Sequence, residues 1–287
     1  MKNWRFVMSR RWFGYLAVAM VFALVCVLLA NWQLSRVDEK KHEISLVEGN
    51  YSSPPVALAD ALPARDSFDE RDKWIPVVVT GTYLEEEQIL VRNRPRNGQP
   101  GFEQLVPLQL SDGSVFIVDR GWLPTGNAQD LPDVIPAPPS GDVTVVARLK
   151  AGEPTLPGRS AADGQIATVH LPDLEDRLGV PLYTGAYGLL DQETPAPADA
   201  APLPAIKPVL DEGIHLSYAF QWVIFGVLGF AFLAYAVRQE YRHLNAEHPE
   251  EKKRAEERER KRLAKRSDAD VEDELLEQTL SRPEKVG

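Results

Sequence analysis

Three groups of residues in this 287-residue chain carry side chains that could do chemistry. The first opens a long apolar run: His215, Ser217, Tyr218, Gln221 and Trp222. The second closes another: Asn31, Trp32, Gln33 and Arg36. The third lies between them, Asn93-Arg94 and Asp119-Arg120-Gly121-Trp122. A helix places His215, Tyr218 and Trp222 on one face at i, i+3 and i+7, with Ser217 and Gln221 on another. His215 and Ser217 diverge by about 200° and cannot pair as base and nucleophile. Three roles are open to His215: an interfacial imidazole bonded to water, a carbonyl or a facing side chain; an axial ligand to haem iron, flanked by Tyr218 and Trp222; or a proton relay. It could fill only one axial position. Arg94 and Arg120 offer guanidinium groups for an acidic partner or a haem propionate, although a salt bridge to Asp119 accounts for them as well. Gly121 suits a tight turn and Trp122 a core.

Other chemistry is excluded or weak. The chain lacks a GxSxG nucleophile elbow, a P-loop, an HExxH zinc site and a Gly-rich dinucleotide turn. Its one cysteine, Cys26, excludes an internal disulfide, a CxxC pair and a thiolate zinc site. No catalytic set remains, and no enzyme activity is expected.

The elements that must position these residues follow from charge and hydropathy. Lys and Arg minus Asp and Glu give +4 for residues 1–35, −13 for 36–213 and −1 for 214–287, the total of −10. So acidic a centre disfavours nucleic acid as a partner. Residues 12–35 run without formal charge, long enough for a bilayer core of about 30 Å. The basic residues before them resemble a signal-peptide n-region, but the run is long and its exit lacks a small-x-small cleavage site, so it reads as a retained anchor. Residues 214–237 form a second span, closed by Arg238 and Arg242. With basic residues outside both spans, the positive-inside rule predicts a multi-pass protein of the plasma (inner) membrane, both termini cytoplasmic and residues 36–190 extracytoplasmic.

That central domain reads as mainly antiparallel β, a small sandwich or barrel with minor helix. The first helix continues into water over 36–50. Strands are predicted over 74–83, 88–93, 102–110, 114–119, 143–149, 166–170 and 186–190, with a short helix over 172–178 stopped by Gly179. Asp112-Gly113 marks a hairpin. Residues 191–213, rich in Pro and Ala, predict an extended tether. Residues 238–287 predict a charged, partly helical cytoplasmic tail, with Glu250/Arg254, Glu256/Arg260 and Glu257/Lys261 at i,i+4, and an acidic stretch over 268–277.

Several blocks together resemble one family: Trp32-Gln33-x-x-Arg36, Pro76 to Gly81, Val91-Arg-Asn-Arg94, Gly101, Pro107-Leu108, Asp112-Gly113, Val118-Asp-Arg-Gly-Trp122-Leu-Pro124 and His215-Leu-Ser-Tyr-Ala-Phe-Gln-Trp222. Their order is similar to that in the surfeit-locus family of cytochrome c oxidase assembly factors. The resemblance implies a two-span membrane protein, not an enzyme, that helps install haem a in subunit 1 of a haem-copper oxidase. Its implied partners are that subunit and haem a synthase within the lipid bilayer. It implies transient binding of haem a through His215, with Tyr218, Trp222, Trp32, Gln33 and Arg36 around it and no metal bound directly by the protein. It carries Arg94, Asp119, Arg120, Gly121 and Trp122 as signature residues of the domain. A haem-independent membrane scaffold, or an accessory subunit of a respiratory complex, is the alternative.

Overall fold

A computed structural model describes residues 4–127, 130–159, 162–198, 200–211 and 213–263. The chain divides into two compact units, Met1–Arg36 with Ile214–Gly287, and Val37–Gly213.

The first unit is built on the two apolar runs. Helix α1 (Arg10–Asn50) begins in it, and helix α4 (His215–Leu244) carries the second run. Both are long and apolar enough to cross a membrane. Their inward positions repeat at alternating steps of three and four: Ala19, Ala23, Cys26, Ala30 and Gln33 on α1, and His215, Ala219, Trp222, Gly226, Gly229, Leu233 and Ala236 on α4. That spacing is the 3.5-residue seam of a left-handed helix pair, and its small residues let the backbones approach. Most of the remaining Phe, Leu and Val side chains are exposed, as a lipid-facing surface requires. A turn at Arg5–Met8 precedes α1, and Trp4 stacks on Tyr241 at 4.3 Å between ring centroids. Helix α5 (Pro249–Leu263) follows, and its buried Glu251 meets Arg254 at 3.3 Å and Arg258 at 3.7 Å. The acidic stretch expected over 268–277 lies outside the described residues.

The second unit is a closed mixed β-barrel. Its strands are β1 (Val56–Ala57), β2 (Pro76–Tyr83), β3 (Ile89–Val91), β4 (Gly101–Leu110), β5 (Val115–Pro124), β6 (Asp142–Ala151), β7 (Gln165–Ile166) and β8 (Ala186–Thr194). The sheet order is β1-β2-β6-β8-β5-β4-β3-β7, and an added β2–β4 pairing closes the ring β2-β6-β8-β5-β4. Most pairs are antiparallel, but β5 runs parallel to β8, as do β1 to β2 and β3 to β7. Closure removes the open edges that a sandwich would leave. Minor helix comprises a single turn, α2 (Leu58–Ala61), and α3 (Leu171–Leu178).

Alternation explains the interior. Val77, Val79 and Tyr83 of β2 and Val143, Val145, Ala147 and Leu149 of β6 point inward with Val106, Leu108, Phe116 and Val118. A second cluster covers the other face of β4, β5 and β8 with Leu171 and Leu174 of α3 and Val47 of α1. Covered on both faces, β5 is buried from Val115 to Leu123, which is why its first half, Val115 to Val118, reads as an apolar run rather than an alternating one. The turn before it forms because Asp112 Oδ1 accepts from the Ser114 N–H at 2.9 Å while Gly113 takes φ +81°.

The structure differs from the sequence reading in three places. Strand β5 runs through Arg120-Gly121-Trp122 instead of ending at Asp119. Of the strand expected over 166–170 only Ile166 forms, as the second residue of β7 (Gln165–Ile166). The segment read as an extended tether starts inside β8, and Leu203 docks on the barrel, exchanging backbone hydrogen bonds with Trp122 at 2.8 and 2.9 Å.

Candidate functional site

The polar layer expected at the outer ends of the apolar runs is assembled in the first unit. His215 opens α4, and its Nδ1 lies 2.9 Å from Gln33 Oε1 on α1. Both residues occupy the seam, where Gln33 is 9% exposed. The contact to the amide oxygen suits an imidazole that donates from Nδ1, and the neutral tautomer of that kind has its lone pair on Nε2. One hydrogen bond therefore sets both the tautomer and the ring orientation, the function an outer-shell partner has for a ligating imidazole.

The neighbouring residues are placed differently. Trp222 is on the seam, half-buried, and meets Phe225 edge-on at 5.8 Å. Tyr218 and Trp32 are exposed, and the Arg36 guanidinium sits 5.7 Å from the centre of the Trp32 ring. Ser217 and Gln221 are exposed too. The layer is thus one internal hydrogen bond flanked by aromatic and cationic groups on the outer surface of the pair.

In the second unit, the signature residues form two charge networks around a bulge. Leu105 pairs with Asp119 and Gln104 with Gly121, so Arg120 is the extra residue of β5. Its guanidinium is fully buried, bonded to Glu193 Oε1 at 2.8 Å and to the Pro136 carbonyl at 3.0 Å. The Tyr83 hydroxyl donates to the same Glu193 carboxylate at 3.0 Å. Burial and the charge of Glu193 push the Tyr83 pKa up, so the phenol stays protonated and donating.

The second network contains Arg94, Asp119 and four residues the sequence did not single out, Glu103, Lys150, Glu153 and Tyr187. Arg94 pairs with Glu103 at 2.9 Å and Glu153 at 2.6 Å. Burial raises the Asp119 pKa to about 8, the charge of Glu103 adds to this, and the Gly121 N–H, donating to Asp119 Oδ1 at 3.0 Å, only partly opposes it. Burial raises Glu103 as well, against the opposing charges of Arg94 and Lys150. The Tyr187 hydroxyl is buried beside this group without a hydrogen-bond partner among the described residues. A cavity of about 350 Å³ opens here, lined by Trp74, Arg94, Glu103, Asp119, Trp122 and Lys150. Both signature arginines are therefore held by internal carboxylates, which accounts for them as parts of the fold. Their salt bridges among the described residues are to Glu103, Glu153 and Glu193 and not to Asp119, the partner the sequence suggested.

Gly121 and Trp122 form the seam between β5 and the docked segment. Gly121 has φ +133°, and a Cβ there would overlap the Leu203 carbonyl. The Trp122 indole N–H donates to the Arg94 carbonyl at 2.6 Å. Both residues are needed for close approach of two backbones.

This combination of paired apolar helices and barrel signature has counterparts. The family model of the SURF1 family matches residues 20–227. The chain belongs to the SURF1 family. An uncharacterized SURF1-like protein of Mycobacterium tuberculosis is 32% identical over 239 residues, covering 80% of this chain and 86% of the relative. A SURF1-like protein of Rickettsia bellii is 24% identical over 225 residues, covering 75% and 86%. A shorter match, 28% identical over 107 residues and 36% of this chain, is to a SURF1-like protein of Dictyostelium discoideum. SURF1 proteins are known generally as cytochrome oxidase assembly factors, and the matched region contains both the polar layer and the barrel.

The SURF1 layer suits haem in its donor chemistry. A neutral imidazole with Nδ1 hydrogen-bonded and Nε2 carrying the lone pair is the form that binds haem iron. Trp32 and Tyr218 supply exposed aromatic surface, and Arg36 a cation, at the same level of the helix pair.

Proposed function

We propose that this SURF1-family protein assists assembly of a haem-copper cytochrome c oxidase at the step in which haem a enters subunit 1. The observation that carries the reading is the His215–Gln33 hydrogen bond at the head of the helix pair, in a chain that belongs to this family. Gln33 orients the imidazole, His215 Nε2 holds the iron transiently, and Trp32, Tyr218, Trp222 and Arg36 border the macrocycle. Haem a, when bound, supplies an iron centre that needs an axial nitrogen. A single protein ligand keeps the complex weak enough to release its cargo. The basic residues outside both spans favour cytoplasmic termini in the plasma membrane, with the barrel on the opposite side, where it meets the oxidase. Haem a synthase is the expected donor.

The test is a pair of reduced-minus-oxidised spectra of membranes from cells with and without the gene, with haem a read against the b and c bands. A selective loss of haem a supports the role, and an unchanged spectrum rejects it.

One observation favours a second reading. Gln33 satisfies His215 within the protein, so the pair can act as a structural tie in a haem-independent scaffold or accessory subunit. Co-purification with mature oxidase, and full activity of a His215→Asn variant, would select it.

A further inference from the structure

At the opposite end of the helix pair from His215 lies a groove of about 730 Å³ that the oxidase role does not use. Its walls are apolar along most of their length, with Val18, Ala19 and Phe22 on α1 and Gly229, Leu233 and Ala236 on α4. Gly229 packs directly on the Phe22 ring and so forms the floor. From Arg11 to Phe22 the groove follows α1 for roughly 16 Å at 1.5 Å per residue, about the depth of one leaflet of a ~30 Å hydrocarbon core. Its mouth is charged. Arg11 Nη2 and Glu240 Oε2 stand 3.7 Å apart, and neither side chain makes a hydrogen bond among the described residues. The Arg11 guanidinium lies 5.7 Å from the ring centres of Trp12 and Tyr15, two residue types that settle at headgroup depth.

We infer that this groove is a binding site for one phospholipid with a zwitterionic, primary-ammonium headgroup, phosphatidylethanolamine, in the leaflet next to the two termini. The arrangement of charge selects this lipid. A guanidinium takes a phosphate with two parallel N–H donors. A carboxylate only accepts, so it takes an ammonium that carries protons. Phosphate and ammonium are joined by a short ethylene link, which matches a cation and an anion side by side but not hydrogen-bonded to each other. Phosphatidylcholine has no N–H to give Glu240, and phosphatidylglycerol, with its phosphate on Arg11, offers Glu240 only a neutral hydroxyl and leaves that carboxylate without a countercharge. One acyl chain fills the apolar length of the groove. The inference stands apart from the haem reading and does not depend on it.

The test uses the full chain in nanodiscs made from equal amounts of phosphatidylethanolamine and phosphatidylglycerol, with bound lipid counted by native mass spectrometry after release. The wild type is expected to retain phosphatidylethanolamine in preference to phosphatidylglycerol. Glu240→Gln should reduce that preference about fivefold, the factor one charge contact at a membrane surface supplies. Ala236→Phe, which fills the groove, should abolish retention of either lipid. The inference is overturned if the wild type retains phosphatidylglycerol or no lipid, if a second copy of the chain occupies the groove and the species is a lipid-free dimer, or if Glu240→Gln leaves the preference unchanged. Glu240→Gln is nearly isosteric on a helix, so it decides the matter by itself should Ala236→Phe fail to fold.

Discussion

His215 Nδ1 on α4 and Gln33 Oε1 on α1 are 2.9 Å apart across the helix seam, although 182 residues separate them in the chain. The contact joins the two apolar helices, and it sits where a ligand imidazole would need its second nitrogen engaged. His215→Ala should lower haem a in the assembling oxidase without removing the protein from membranes. Gln33→Leu should do the same less severely, because it frees the ring without deleting it. Haem a spectra and immunoblots of the same membranes check both, and wild-type haem a in His215→Ala rejects the ligand role.

The same pair has a structural contribution that is expected to be small. Side-chain hydrogen bonds between membrane helices average about 0.6 kcal/mol in double-mutant cycles. A cycle of His215→Leu, Gln33→Leu and the double variant, followed by thermal unfolding in detergent, should return a coupling near that value. A coupling several times larger would favour the scaffold reading.

Breaking the other buried network should be far more costly. Arg120→Met leaves Glu193 buried without its cation, a loss of about 3–5 kcal/mol. Adding Glu193→Gln removes the orphaned charge and should recover part of that loss. Denaturant unfolding of the full-length variants, monitored by circular dichroism, tests the order of stabilities: wild type, then double variant, then Arg120→Met.

Asp119 should make barrel stability depend on pH with an unusual sign. Its folded pKa, near 8, lies above the ordinary carboxylate value of 3.8. The folded state therefore binds more protons between those limits, and stability falls as pH rises through the window, then levels off once the folded carboxyl is ionised. The lowered carboxyls of Glu43, Glu153 and Asp69 act in the opposite sense only at more acidic pH. Asp119→Asn should flatten the profile of melting temperature between pH 5 and pH 8, and an unchanged slope would refute the assignment.

Gly121 tests whether the docked segment belongs to the barrel. Gly121→Ala places a Cβ against Leu203 at a φ that L-residues rarely adopt, a strain of about 1–3 kcal/mol. The expected outcome is release of residues 200–207, seen as faster proteolytic cleavage there and a shift in Trp122 fluorescence. Cleavage at the wild-type rate would show that the backbone pairing does not hold the segment.

Much of this protein was determined by sequence alone, because the signals involved are local. Two uncharged runs of bilayer length, period-two alternation in β2 and β6, and Asp112-Gly113 at the hairpin act through neighbours a few residues away. The resemblance likewise needed only ordered short blocks. Tertiary structure decided the rest. Closure into a barrel depends on β4 reaching β2, and the parallel β5–β8 pair joins strands with more than 60 residues between them, which no local period reports. Glu103, Glu153, Glu193 and Lys150 belong to none of the motifs read from the sequence. They became functional neighbours of Arg94, Asp119 and Arg120 only because folding removed them from water, where an ion must find its partner or lose its charge. Gln33 and His215 carried a recognisable pattern, but their hydrogen bond exists because two helices pack in one register. The sequence specified the types of groups, and the packing of distant segments determined which of them meet and which proton each one holds.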